Sequence, residues 1–235
     1  MRINSFLARC GLGSRRKVEE LILKKQVFVN GSNIISLSTQ IDPQKDEVIC
    51  NNKKLTLIED KVYLMLNKPK LVLSTVSDDR GRKTVMDYVD KTINIFPVGR
   101  LDYNTEGLIL LTNDGEFANN VIHPSKMIWK TYEAKLNKTP KPIDLVKLRK
   151  GVDIGDMIKT SPAQVSNPEL CDDGLYKVVI KISEGRNRQI RRMFKAVGYN
   201  VLELKRIAIG NLLLGNLKSG KIKTLTDNDI KNIFN

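Results

Sequence analysis

An unbroken apolar run, Leu108-Ile109-Leu110-Leu111, lies near the middle of this 235-residue chain and limits the folds that it can adopt. The run is too short for a typical helix and predicts a fully buried strand. Gly99-Arg100-Leu101-Asp102 precedes it, and Asp114-Gly115 follows it as a predicted turn. The chain must therefore build a core around this strand, with a polar motif directly upstream.

The first 60 residues predict a small separate unit. One short helix has an apolar face and stops at Gly11 and Gly13, and that face contains Ile3, Phe6, Leu7 and Cys10. Ser14 is a suitable N-cap for a second helix, whose inner face carries Val18, Leu21 and Ile22. Val27-Phe28-Val29 reads as a strand, and Asn30-Gly31 after it is a strong hairpin signal.

The remaining residues, 61–235, predict a larger mixed domain. Strand patterns cover Val62–Leu66, Leu71–Thr75 and Tyr176–Ile182, and a helix is expected beyond Gly185, ending at Gly198. Strands and helices interleave irregularly, which favours an α+β fold with a mixed, mainly antiparallel sheet over a doubly wound parallel one.

The charge balance indicates a polyanionic partner. The chain has 40 Lys and Arg against 26 Asp and Glu, a formal net charge of +14. Such an excess favours nucleic acid binding driven by counterion release, although a solvated basic surface is the simpler alternative.

The sequence lacks the residues that several functional classes require. Three scattered cysteines, Cys10, Cys50 and Cys171, predict reduced, buried thiols rather than disulfides or a zinc site. His123 is the only histidine and is expected to be structural, and no Walker-type phosphate loop is present. With no signal-peptide core and no apolar run of membrane length, we expect a cytoplasmic protein without metal or nucleotide cofactor.

One acid stands out against this basic background. Asp102 would repel a polyanion, so its presence in this motif indicates a chemical role. Residues 186–192 include four arginines, on a helix expected to begin near Arg186. An arginine near a core needs an acidic partner, and Asp102 is the candidate. Hydrolysis of a glycosidic bond normally uses two carboxylates. The candidates for a second carboxylate beside Asp102 are Glu106 and Asp114, and both lie in predicted turns. A lone carboxylate with an arginine suits a glycosyl shift that consumes no water.

The motifs resemble those of one enzyme family. Gly99-Arg100-Leu101-Asp102 and Leu111-Thr112-Asn113-Asp114-Gly115 look like the catalytic motif of the pseudouridine synthases, and the following segments continue the match: His123-Pro124, Lys130-Thr131-Tyr132 and Glu184 to Phe194. Ser14 to Ile22 with Val27 to Gly31 resembles the alpha-L RNA-binding domain. Together they resemble the RsuA/RluB branch, and the segments at 80–85 and 99–103 look most like its 23S rRNA enzymes.

This resemblance implies a role for each site residue. Asp102 would be the catalytic nucleophile or base, Arg191 its cationic partner, and Tyr132 a stacking platform for the target ring. Arg100 would help to displace the base. A basic RNA-binding surface would include Arg15, Arg16, Lys17, Arg186, Arg188 and Arg192. The expected partner is ribosomal RNA or a pre-ribosomal particle, bound by a monomer.

Other functions remain open from the sequence. A branch member acting on 16S rRNA would have closely similar motifs. A non-catalytic ribosome assembly factor would need only the N-terminal module, and an RNA glycosidase would release free uracil.

Overall fold

The computed structural model describes residues 1–57, 60–90 and 93–235, with side chains throughout except those of Arg15 and Arg16. The chain forms two compact units, residues 1–62 and 63–235. Each unit has a hydrophobic core of its own.

The first unit consists of two helices and a small antiparallel sheet. The helices are α1 (Ile3–Arg9) and α2 (Arg15–Leu23), and the strands are β1 (Val27–Val29), β2 (Ser32–Asn33), β3 (Val48–Cys50) and β4 (Lys53–Lys54). The Ser14 side chain accepts a hydrogen bond from the Lys17 backbone nitrogen, as predicted for the N-cap. Asn30 and Gly31 both have positive φ (49° and 78°), which the tight β1–β2 hairpin requires.

The second unit is built on one large sheet. Its strands are β5 (Tyr63–Lys68), β6 (Phe96–Val98), β7 (Glu106–Thr112), β8 (Lys130–Leu136), β9 (Gln164–Val165), β10 (Glu169–Leu170), β11 (Tyr176–Ile182), β12 (Val201–Ile209), β13 (Leu212–Leu213) and β14 (Ile222–Thr224). Its helices are α3 (Gly115–Ile122), α4 (Pro142–Lys150), α5 (Gln189–Ala196) and α6 (Asp227–Phe234), with short 3₁₀ turns at Val85–Tyr88 and Pro124–Lys126.

The sheet order is β10-β11-β8-β12-β7-β5-β14, with β9, β6 and β13 added at β11, β7 and β12. Only the β7–β12 pair is parallel among the strand pairs of the described residues. The apolar run of residues 108–111 lies in β7, near the middle of this sheet, and all four side chains are fully buried. The predicted α+β fold with a mixed, mainly antiparallel sheet is therefore confirmed.

Four local predictions were wrong. Glu106 does not lie in a turn but begins strand β7. Residues 71–75 form no strand, because Leu71 has a left-handed backbone (φ 63°) and only Leu73 makes an isolated bridge. The helix expected from Arg186 begins at Gln189, since Arg188 is itself left-handed (φ 49°). Asp114 does not belong to a simple turn but caps α3, accepting hydrogen bonds from the Glu116 and Phe117 nitrogens.

The thiols differ from expectation as well. All three cysteines are free, but only Cys50 is fully buried, and Cys10 and Cys171 are partly exposed. Burial raises the pKa of Cys10 to about 11. Over the described residues, the helices are too short or too polar to cross a membrane.

Candidate active site

Asp102 lies in a tight loop that enters the central strand. The Thr105 nitrogen donates to the Asp102 carbonyl at 3.0 Å, which closes the turn just before β7. The Ser74 hydroxyl donates to the Leu101 carbonyl and accepts from the Leu101 nitrogen, at 2.9 and 3.1 Å. The Leu71 nitrogen bonds the Tyr103 carbonyl, so the irregular segment 71–74 fixes the loop on both sides of Asp102.

Tyr132 lies on β8 opposite a buried arginine of β12. Residues 132 and 206 are register partners, and the Arg206 guanidinium donates to the Tyr132 hydroxyl at 3.4 Å. The guanidinium carbon is 5.9 Å from the centre of the tyrosine ring, within the range of a cation–π contact. Arg206 also donates to the Leu108 carbonyl at 2.7 Å, which ties this pair to the central strand.

Asp102, Arg100 and Tyr132 line one cavity of about 440 Å³. Its remaining charged lining residues are Lys130, Glu184, Arg186, Arg188 and Arg206. A volume of about 300–1,000 Å³ is usual for pockets that take a small organic group. The fold thus brings five of the predicted site residues to one cavity, namely Arg100, Asp102, Tyr132, Arg186 and Arg188.

Arg191 lies beside this cavity on α5. Its guanidinium donates to the Val201 carbonyl at 2.7 Å and to the Asn104 carbonyl at 3.3 Å. No ion pair joins it to Asp102 within 4.0 Å in the described residues, but the Asp102 charge opposes the lowering of the Arg191 pKa by burial and by Arg188. Asn104 belongs to the same turn as Asp102, so Arg191 supports the loop that carries the acid.

Arg186 and Arg192 are engaged with the protein itself. Both pair with Asp156, at 3.4 Å for Arg186, and both donate to backbone carbonyls of the segment 154–159. Arg186 also pairs with Glu184 at 3.2 Å. These contacts fasten the segment 154–159 to the start of α5, whereas Arg188 is exposed at the cavity. Of the N-terminal residues expected to bind RNA, Lys17 is exposed, and the Arg15 and Arg16 side chains lie outside the described residues.

Two lysines with lowered pKa values were missed by the sequence reasoning. Lys68 is fully buried at the end of β5, and its ammonium donates to the Pro69 and Val72 carbonyls at 2.8 Å. Burial lowers its pKa to about 8, although Asp102 and Glu106 act in the opposite direction. Lys130 lines the cavity, and burial together with Arg206 lowers its pKa to about 8. Perturbed pKa values in a cleft are typical of functional sites.

Arg206 was also missed, although β12 carries a signal for it. The strand alternates, and Leu204, Arg206 and Ala208 occupy its buried positions. An arginine at a buried position of an alternating strand is costly unless other groups compensate its charge, so its presence there indicates a specific role. His123, by contrast, is exposed and caps the 3₁₀ turn at 124–126 through its Nδ1, as a structural residue would.

Comparison with known proteins assigns the chain to a family. The model of the RNA pseudouridylate synthase family matches residues 62–196, which include Asp102, Tyr132 and Arg191. The chain belongs to this family. It is therefore an RNA pseudouridine synthase, and a second model, the S4 domain, matches residues 1–49.

The relatives extend over nearly the whole chain. Over 235 residues the chain is 42% identical to ribosomal large subunit pseudouridine synthase B of Bacillus subtilis, covering 99% of this chain and 95% of the relative. It is 37% identical to an uncharacterized RNA pseudouridine synthase of Aquifex aeolicus, covering 100% of this chain and 94% of the relative. A crystal structure of a pseudouridylate synthase superposes with a TM-score of 0.71 at 32% identity, covering 99% of each chain.

Proposed function

We propose that this synthase converts a specific uridine of ribosomal RNA to pseudouridine, that its target lies in 23S rRNA, and that Asp102 is the catalytic carboxylate. The observation that carries the proposal is the sharing of one cavity by Asp102, Tyr132 and a set of cations. The ribosomal large subunit enzyme of Bacillus subtilis, 42% identical, supports the choice of 23S rRNA. Activity on ribosomal RNA also fits the cytoplasmic location expected from the sequence.

The target uridine must leave its helix to reach the cavity. Extrusion of a base costs roughly a few kcal/mol, and stacking on an aromatic ring such as Tyr132 returns about 1–3 kcal/mol. Arg100 is exposed at the cavity edge, where it can occupy the space that the base vacates. The exposed Arg188 and Lys17 can contact the RNA backbone, and Arg15 and Arg16 carry the same expectation.

Asp102 then acts on the extruded nucleoside. As a nucleophile it would attack C1′, and as a base it would remove a ribose proton; either route breaks the N1–C1′ bond. The uracil turns, C5 joins C1′, the C5 proton is lost, and N1 takes up a proton. The reaction consumes no water, so a single carboxylate suffices. Arg191 supports this step by holding the Asn104 carbonyl of the same turn.

The test is Asp102→Asn, assayed by tritium release from C5-labelled uridine in 23S and 16S rRNA transcripts. We expect complete loss of pseudouridine formation with RNA affinity within about threefold of wild type. Asp172→Asn removes the same charge at an exposed position after β10 and should remain fully active. Activity retained by Asp102→Asn would refute its catalytic role.

The substrate is decided by the same assay. Pseudouridine in the 23S transcript alone supports the proposal, and pseudouridine in the 16S transcript alone overturns the 23S assignment. RNA binding without either product would favour an assembly factor, and free uracil would favour a glycosidase.

A further inference from the structure

Lys130 is a charged group in the cavity that the mechanism above does not use. It lies two residues before Tyr132 on β8, so both side chains point to the same face of the sheet, and both line the cavity. Thr131, between them, lines a different cavity on the opposite face. Lys130 therefore faces whatever group stacks on Tyr132.

Lys130 is half-buried, and within the described residues no ion-pair partner or hydrogen-bond acceptor is found for its ammonium, which only burial and Arg206 perturb. The acids that line the same cavity are Asp102 and Glu184, and Glu184 is occupied by Arg186, Gln189 and the Ser161 nitrogen. A half-buried cation without an acidic partner is costly, so a lysine held in this way in a cleft is a candidate to contact an anionic ligand.

The neighbouring groups add positive charge instead of cancelling it. Arg206 of β12 acts directly on the Lys130 charge, and Arg100 and Arg188 are exposed at the same cavity, whereas Arg186 is paired with Glu184 and Asp156. Tyr132 is the other titratable group that faces Lys130, and Arg206 is bonded to its hydroxyl. One unsatisfied nitrogen of Arg206, Nη2, is buried beside them. The end of the cavity near β8 and β12 thus favours an anion.

An anion forms there during the reaction. When the N1–C1′ bond breaks, uracil leaves with the electron pair, and the negative charge spreads over N1 and the two ring carbonyl oxygens. We propose that the Lys130 ammonium contacts the uracil ring and stabilises this departing anion, as a further catalytic residue of the synthase. Lys130 supplies charge and no proton, so the exchange of the C5 proton for an N1 proton stays balanced.

This inference rests on the proposed function, and its test uses the full-length enzyme with the rRNA transcript that the assay above identifies. Lys130→Met should lower the single-turnover rate at saturating enzyme by about 10²-fold, as is usual for loss of one electrostatic group of this kind. The dissociation constant for the RNA should change by less than about threefold. Lys181→Met, on the neighbouring strand β11 and lining the other cavity, should react at the wild-type rate.

A pH profile separates this role from a structural one. The ammonium is the active form, so the wild-type rate should fall as the pH rises above 8. Lys130→Arg keeps the charge at every accessible pH, so it should retain more activity than Lys130→Met and lose that fall. A fall that persists unchanged in Lys130→Arg would overturn the inference and point instead to another group, such as Lys68.

The outcomes distinguish the two proposals. If wild type forms no pseudouridine in rRNA, the proposed function fails. If wild type is active but Lys130→Met keeps its rate within threefold, only the Lys130 inference fails. A loss of RNA affinity with an unchanged single-turnover rate would assign Lys130 to a phosphate contact and would also refute its catalytic role. Unfolding curves followed by the single tryptophan, Trp129, verify that each variant is folded.

Discussion

Gly107 is the position where one added methyl group should disturb both the sheet and the site. It lies in β7 with φ of 113°, directly against β12 in the parallel pair. A Cβ atom there would be 2.6 Å from the backbone nitrogen of Arg206 and closer still to its carbonyl oxygen. Distances under 3.0 Å do not occur for real Cβ atoms, so β7 and β12 would have to separate.

The expected cost of Gly107→Ala combines two effects. Overpacking between fixed backbones costs about 1–3 kcal/mol. A positive φ at a residue with a side chain costs about 1–3 kcal/mol more. We therefore expect the free energy of unfolding to fall by about 2–6 kcal/mol, a large part of the about 5–15 kcal/mol of a typical domain.

Urea unfolding followed by Trp129 fluorescence measures this change in the second unit, because the chain has one tryptophan and it lies there. The matched control is Gly115→Ala, where φ is ordinary and nothing lies within 4 Å of the added carbon. That variant should be more stable by about 0.4–1 kcal/mol. A Gly107→Ala protein within 1 kcal/mol of wild type, at equal m-value, would refute the backbone clash.

Two further predictions concern buried polar groups. Lys68 has a folded pKa of about 8 against 10.5 when free, so the unfolded chain binds more protons between these values and stability should rise with pH there. The rise should be up to about 2.5 kcal/mol between pH 8 and 10, and urea titrations should show a smaller rise in Lys68→Met; equal slopes would contradict the assignment. Tyr199→Phe removes a buried hydroxyl that donates to Asp144 and accepts from the Lys141 nitrogen, both at 2.9 Å. It should lower the free energy of unfolding by about 1–3 kcal/mol, and thermal unfolding that matches wild type would show those bonds to be dispensable.

Local signals accounted for much of the fold. Ser14 and the Asn30-Gly31 pair act through contacts a few residues away, so the sequence was enough to locate the first helices and the hairpin. The apolar run at 108–111 located the central strand for the same reason. The strand predicted at residues 71–75 was wrong because Leu71 has a left-handed backbone and its nitrogen bonds the carbonyl of Tyr103, 32 residues away. No local pattern reports such a contact.

The same difference between local and long-range signals decides which site residues could be predicted. Asp102 was conspicuous as an acid in a basic chain, whereas Lys68, Lys130 and Arg206 were three among 40 basic residues. What distinguishes them is burial, and burial here follows from pairing: the β8–β12 register places Tyr132 against Arg206, 74 residues apart. Only the alternation of β12 gave Arg206 any signature in the sequence.

The net charge of +14 therefore does not describe a uniform RNA-binding surface. Arg186 and Arg192 are paired with Asp156 and hold a loop, and Lys68 and Arg206 are buried in the second unit. Counterion release counts only cations that meet phosphate, so these four should contribute little to the salt dependence of RNA binding. Of the four, Lys68 and Arg206 place their positive charge near Asp102 and near the Tyr132 end of the cavity, where we propose that the uracil acquires negative charge. We therefore expect only the exposed part of the basic composition to attract RNA, whereas the buried Lys68 and Arg206 act within the second unit.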